Sequence, residues 1–236
     1  MKKAVPAEIL ILSTSLFLYC SPASSLVGAD LAEGAVQRYT VGVATSRGLC
    51  SGVVLAQDIV LTAAHCVEAN LQIAGNWGGK LFAYIPVVET VRHPLYNSSD
   101  TISPDLAILK LEKPLPDRFI PASLGVRTIG TGDHLIVAGY GTTAAGYTIG
   151  GTPLRMGLLR VSGTTKGWLT LVSAGQDAAG GCWGDSGGPV FTYRGMYALV
   201  GVIVRGSCGV ISGVVTLAPH YGWINETILK LTAPRE

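Results

Sequence analysis

Between residues 180 and 189 the chain reads GGCWGDSGGP, five glycines in ten positions around a carboxylate, Asp185, set directly beside a hydroxyl, Ser186. Glycine admits backbone conformations closed to other residues and lets another group approach the main chain closely. A turn rarely needs that freedom five times over; a site that binds through its backbone N–H groups does. A serine hydroxyl is a poor nucleophile until a neutral imidazole takes its proton. A buried carboxylate then holds that ring in the right tautomer and stabilises it once charged. Both groups are available upstream, His65 in LTAAHC and Asp105 in SPDLAILKL. Singly, each has a plainer reading: a core histidine, and an aspartate in a turn ahead of a strand. Together, in the order His, Asp, Ser, they supply a base, an orienting acid and a nucleophile.

GDSGG also satisfies G-x-S-x-G, the strand-to-helix elbow of α/β-hydrolases. That arrangement places its acid and then its histidine after the serine. After Ser186 the next histidine is His220, and no Asp or Glu lies between them. The elbow reading fails on order alone, and the chain shows no alternation of strands and helices to support it.

The elements that must hold these groups are short apolar runs punctuated by glycine: YTVGVA, SGVVLA, DIVLTAA, IPVVETV, LAILKL, HLIVAGYG, LVGVIV and GVVTL. Their spacing predicts an all-β barrel or sandwich. The last stretch, HYGWINETILKL, differs, because Trp223, Ile224, Thr227, Ile228 and Leu231 recur as on one helical face. Pro114, Pro116 and Pro121 mark a junction between two halves, near 114–125. With 236 residues, 31 of them glycine, and 14% charged residues, the chain is neither a coiled coil nor charge-rich disorder. A net charge of +2 with its 17 Lys and Arg scattered gives no footprint for nucleic acid.

Lys2 and Lys3 precede an apolar run from Ile9 to Tyr19 and then the small residues of SPASSLVGA, the layout of a secretory signal peptide over residues 1–25. The run is short for a membrane span. The bulky Tyr19 argues against lipid modification at Cys20. Removing the signal leaves Cys50, Cys66, Cys182 and Cys208, an even number that in an exported chain reads as two disulfides. Three pairings are open; Cys50 with Cys66 would close a loop worth about 3 kcal/mol. No CxxC or paired Cys/His spacing suggests a metal, and no phosphate loop or other cofactor motif occurs.

LTAAHC, DLAILKL and GCWGDSGGPV together resemble the trypsin/chymotrypsin-like serine proteases, from about Leu26 to the C-terminal helix, with VAGYGT at 137–142 and Gly201–Thr216 adding to the likeness. The resemblance implies two antiparallel six-stranded β-barrels packed together with a C-terminal helix, spanning 26–236. It implies a secreted or periplasmic endopeptidase working through an acyl-enzyme, with His65, Asp105 and Ser186 catalytic and the N–H groups of Gly184 and Ser186 forming the oxyanion hole. It implies disulfides Cys50–Cys66 and Cys182–Cys208, and an ion pair between Asp185 and a newly made N-terminal amine. Leu26-Val27-Gly28-Ala29 fits that terminus, and Ala23 and Ser25 suit signal peptidase, so signal cleavage itself is expected to create Leu26. The partners implied are protein or peptide substrates and protein inhibitors, without nucleic acid and without a membrane span once the signal is gone.

The resemblance maps the substrate pocket to Gly180 at its base and Gly206 and Gly213 on its walls. With no carboxylate at the base, a large apolar or aromatic side chain is expected ahead of the cut bond rather than Arg or Lys. Two departures stand out: Val204 falls where the family carries a serine that supports the catalytic Asp, and Arg205 falls where it carries Trp. Arg205 is expected either to favour acidic substrate residues upstream of the cut or to be a solvated rim residue. His93 reads as a loop residue beside the cleft. Asn97 and Asn225 match the glycosylation pattern, while the Met-Lys-Lys start is of bacterial type. The alternative from another class is a protease-like binding protein without turnover, which loss of a triad residue would signal; none is lost.

Overall fold

The computed structural model describes residues 29–74, 76–77, 80–81, 84–142, 153–174 and 180–234. Two barrels account for most of them. The first comprises β1 (Thr40–Thr45), β2 (Gly48–Ala56), β3 (Ile59–Thr62), β4 (Gln72–Ala74), β5 (Ile85–Arg92) and β6 (Ala107–Leu111). These close antiparallel in the order β1-β2-β3-β6-β5-β4. The second comprises β7 (His134–Gly139), β8 (Arg155–Thr165), β9 (Trp168–Ser173), β10 (Pro189–Thr192), β11 (Leu199–Ser207) and β12 (Ile211–Thr216). It runs β8-β7-β10-β11-β12-β9 and closes through pairing of β8 with β9. Counted round the ring, the two orders are the same, so one strand plan is used twice.

Each barrel is filled by its own branched side chains, as small closed barrels must be. Val41, Val43, Val60, Ile73, Leu109 and Phe119 fill the first; Leu135, Val137, Leu159, Val161, Leu171 and Val214 fill the second. A further buried cluster joins them, in which Val53, Leu61 and Ile108 of the first barrel share a core with Ala138, Phe191 and Val202 of the second. Every apolar run picked out in the sequence lies on a strand. The crossing between barrels occupies the residues between β6 and β7 and contains the proline-marked stretch.

Helix α1 (Gly34–Tyr39) precedes β1, and helix α2 (Tyr221–Thr232) ends the fold. In α2, Ile224, Thr227 and Leu231 are buried at three- and four-residue spacing, the face the sequence predicted. Asp30–Leu31 adds a short strand against Arg155 and Met156, the start of β8, ahead of its pairing with β9. Among the described residues no helix is long and apolar enough to cross a membrane.

Candidate active site

His65 sits in a single 3-10 turn, Ala64–Cys66, directly after β3. Two ties fix that turn. Cys66 is bonded to Cys50 of β2. Arg92, at the end of β5, donates from Nε to the Ala64 carbonyl at 3.3 Å and from Nη2 to the Val67 carbonyl at 2.6 Å. Asp105 stands just ahead of β6, and its carboxylate takes both N–H groups that His65 offers on that side. The backbone N–H reaches Oδ1 at 2.9 Å and ring Nδ1 reaches Oδ2 at 2.7 Å. An ionised carboxylate only accepts, so the ring proton lies on Nδ1 and Nε2 is left as an acceptor.

Ser186 arrives from the other barrel, in the loop leading into β10. Its carbonyl accepts the Ser51 N–H at 2.7 Å, which ties the serine loop to β2. Ser186, His65, Gly184 and the Cys50–Cys66 disulfide line one cleft of about 450 Å3, with Leu49, Tyr140 and the exposed Trp183.

The glycine cluster does definable work. Gly184 has φ 101°, open to glycine at no steric cost. The Trp183 carbonyl accepts from the Thr142 N–H at 2.7 Å, and the Asp185 carbonyl from the Gly188 N–H at 2.9 Å. In a trans peptide the N–H points opposite to the carbonyl. The N–H groups of Gly184 and Ser186 are therefore turned away from those partners, and among the described residues neither has an acceptor. The Gly184 carbonyl is held in turn by Ser51 Oγ at 2.8 Å, and the same hydroxyl accepts the Tyr140 N–H at 2.9 Å.

Asp185 is fully buried. Its Oδ1 accepts the Gly141 N–H and its Oδ2 the Cys182 N–H, both at 2.8 Å. A Cβ on Gly139 or Gly141 would collide with the carboxylate, so the GYG of 139–141 makes its chamber. Burial pushes this carboxyl up to about 6, against the pull of those two N–H groups. Leu26, the expected source of an amine partner, lies outside the described residues.

Gly180, Gly206 and Gly213 each lie against a near neighbour. A Cβ on Gly180 would lie 2.8 Å from the Val210 nitrogen, and one on Gly206 2.9 Å from the Gly181 carbonyl oxygen. One on Gly213 would meet the stem of Arg205, with Cδ at 2.9 Å. The second disulfide, Cys182–Cys208, spans the two segments concerned.

A family model described as Trypsin matches residues 26–224. The chain belongs to the trypsin family. It is 30% identical to the trypsin of Squalus acanthias over 219 residues, covering 82% of this chain and 91% of that protein. Human kallikrein-8 is 32% identical over 204 residues, 76% of this chain and 77% of that one. A solved structure described as neuropsin, a serine protease expressed in the limbic system of mouse brain, has a TM-score of 0.69 and 21% identity. It covers 85% of this chain and 98% of its own, and it matches in fold. As a trypsin-family member the chain is a serine endopeptidase.

Sequence reading missed several residues that hold this trypsin-family site together. Ser51 adjoins Cys50 and carried no motif; Arg92 reads as an ordinary strand-end cation. His93 lies in a loop directly after β5 and is buried there, with its ring edge-on to His220 and Trp223. Its Nδ1 accepts the Leu95 N–H at 3.2 Å, so Nε2 carries the proton and donates to Nδ1 of His220 at 3.1 Å. Arg205 is exposed but has partners. It stacks on Trp168, 4.3 Å from the ring centroid, and donates to the Thr101 carbonyl.

Proposed function

We propose that this chain is an exported endopeptidase whose reaction runs through an acyl-enzyme on Ser186. His65 Nε2 takes the Ser186 proton as the hydroxyl attacks the peptide carbonyl, then returns it to the leaving amine. Asp105 holds the ring and stabilises the imidazolium. The N–H groups of Gly184 and Ser186 bind the oxygen on which charge develops, where a single donor is typically worth ~10²–10³ in rate. The observation that carries the reading is the His65–Asp105 bond of 2.7 Å in the same cleft as Ser186.

On the same reading residues 1–25 are a signal peptide, 26–236 are the protease domain with its junction near 114–125, and signal cleavage creates Leu26. The new amine enters the chamber of Asp185, the charge that a buried carboxylate otherwise lacks among the described residues. The bond cut follows a large apolar or aromatic residue. Gly180 supports this, since its backbone is pressed against Gly209 and Val210 and leaves no room for the carboxylate that a basic side chain would need. Substrates are proteins or peptides in the extracytoplasmic space, where protein inhibitors would occupy the same cleft.

Intact mass of the exported protein after treatment with a fluorophosphonate tests these points together. The expected result is one adduct on a chain starting at Leu26, absent in Ser186→Ala. No adduct on a folded chain with that start would overturn the catalytic reading; a start at Asp30 would overturn the activation reading.

A further inference from the structure

The hydrogen bonds that the Asp105 carboxylate accepts among the described residues both come from His65, while Tyr96 of its own loop lies near enough to feel its charge. Val204, buried in the inter-barrel core, has no hydroxyl to offer in place of the serine the family carries there. The position of Asp105 must therefore be set through the backbone of the segment that carries it. That segment, 93–106, is closed at its base by the His93 N–H, which donates to the Leu106 carbonyl at 2.9 Å. It is tied internally by Ser103. The Ser103 hydroxyl donates toward the carbonyls of Asn97 at 2.8 Å and Asp100 at 3.0 Å, and it accepts the Asn97 N–H at 3.0 Å.

Its tip is held from the opposite barrel. Trp168, the first residue of β9, donates from Nε1 to the Ile102 carbonyl at 2.9 Å. Arg205, on β11, donates from Nη2 to the Thr101 carbonyl. The two donors are locked to each other, because the Arg205 guanidinium lies on the face of the Trp168 ring at 4.3 Å. β12 runs between their strands, and there Gly213 is the residue opposite Arg205. With no side chain on Gly213, the stem of Arg205 can lie flat across it.

We propose that Arg205 and Trp168 are positioning residues: a clamp thrown from the second barrel that fixes the segment of Asp105, and through it the imidazole of His65, relative to Ser186. The proposal rests on the catalytic roles given above. The clamp grips three and four residues before Asp105, on carbonyls whose loss of partner frees the loop without touching the triad. A misplacement of the order of 1 Å in a catalytic group costs up to ~10² in rate, so a loosened loop acts on the chemical step. The clamp also accounts for an arginine at the cleft edge without requiring it to read the substrate.

The test uses a small fluorophosphonate with no peptide portion, which fills no upstream subsite. Its second-order rate of labelling Ser186 is measured on the mature protein for wild type, Arg205→Ala, Arg205→Lys and Trp168→Phe. Alongside, the far-downfield proton resonance of the His65 Nδ1–H···Asp105 bond is recorded. Arg205→Ala is expected to label about tenfold more slowly, with that resonance broadened. Arg205→Lys, which keeps a donor for Thr101, regains most of the rate. Trp168→Phe, which keeps a ring under the guanidinium but loses the N–H to Ile102, falls between them. Should Arg205→Ala not fold, the lysine and phenylalanine variants carry the comparison. Equal labelling across all four proteins, with only KM for long peptides changed, would overturn the clamp and make Arg205 a substrate contact. Wild type that does not label at all would instead sink the catalytic reading beneath it.

Discussion

Ser51 Oγ lies 2.8 Å from the carbonyl oxygen of Gly184, joining β2 of one barrel to the serine loop of the other across 133 residues of sequence. That bond sets the plane of the Gly184–Asp185 peptide, next to the Gly184 N–H proposed above as an oxyanion donor. The same hydroxyl satisfies the N–H of Tyr140. Ser51→Ala should therefore lower kcat by roughly tenfold to a hundredfold with little change in KM, as expected for loss of preorganisation around an oxyanion donor. It should also cost about 1–3 kcal/mol of stability, because the buried Tyr140 N–H loses its Ser51 acceptor. Steady-state kinetics with a chromogenic peptide decide it; a kcat within twofold of wild type would remove Ser51 from the site.

Asp185 makes an opposite demand before and after its amine arrives. Held up to about 6 by burial, it binds a proton more readily folded than unfolded. Its contribution is therefore fully present below about pH 4 and lost as pH rises through about 6. A Ser186→Ala chain that retains the residues ahead of Leu26 should lose about 3 kcal/mol between those limits. In the chain beginning at Leu26 the ionised form is the paired one, and the slope should vanish or reverse. Denaturant titrations at several pH values, with Asp185→Asn as the flat control, would show it. Identical slopes in the two chains would rule out the amine as the partner.

His93 titrates with the other sign. Burial first, and His220 second, hold it down to about 4. A histidine kept neutral by the fold gives stability that is present above its ordinary 6.5 and lost as pH falls toward 4. The groups facing it are His220 and Trp223 of the C-terminal region, with the Leu95 N–H from its own loop. Wild type should accordingly show a falling urea midpoint over that interval, and His93→Phe should flatten that part of the curve. An unchanged curve in the variant would exclude the pair as the acid-sensitive element.

Placing a carboxylate at residue 180 should not convert the specificity. In Gly180→Asp the new Cβ would press on the backbone at Gly209 and Val210. The expected outcome is overpacking, about 1–3 kcal/mol less stable, without gain on Arg- or Lys-directed substrates. A rise of tenfold or more in kcat/KM on those substrates would mean that the pocket base is roomier than the proposal holds.

The barrel strands were legible where branched residues alternate or run together between glycines. LAILKL and LVGVIV are of this kind, and they became β6 and the start of β11. Strand β8 was not legible, since Arg155, Gly157, Arg160 and Gly163 break the alternation of RMGLLRVSGTT. β10 hides behind the glycine cluster that precedes it. Helix α1 has no side-chain cap and starts on Gly34, with φ 57°, so nothing in the sequence announces it. At the site, Ser186, His65 and Asp105 stood out because the chemistry needs those side chains and their motifs run in the family's order. Ser51 and Arg92 did not, and Arg205 stood out only as a departure from the family's Trp. Their roles depend on carbonyls that folding alone brings near, 104 residues away in the case of Arg205 and Thr101, and any residue type can present a carbonyl.

The repeated strand plan carries a further consequence. On the proposed mechanism His65 and Asp105 are rooted in one ring of strands and Ser186 in the other, so neither ring holds a complete set of reacting groups. Turnover is then a property of the seam between them. Anything that parts the halves by a fraction of a bond length should silence the enzyme while each half is still fully folded. The two pieces, cut within the crossing and mixed again, should recover activity only as fast as they find each other.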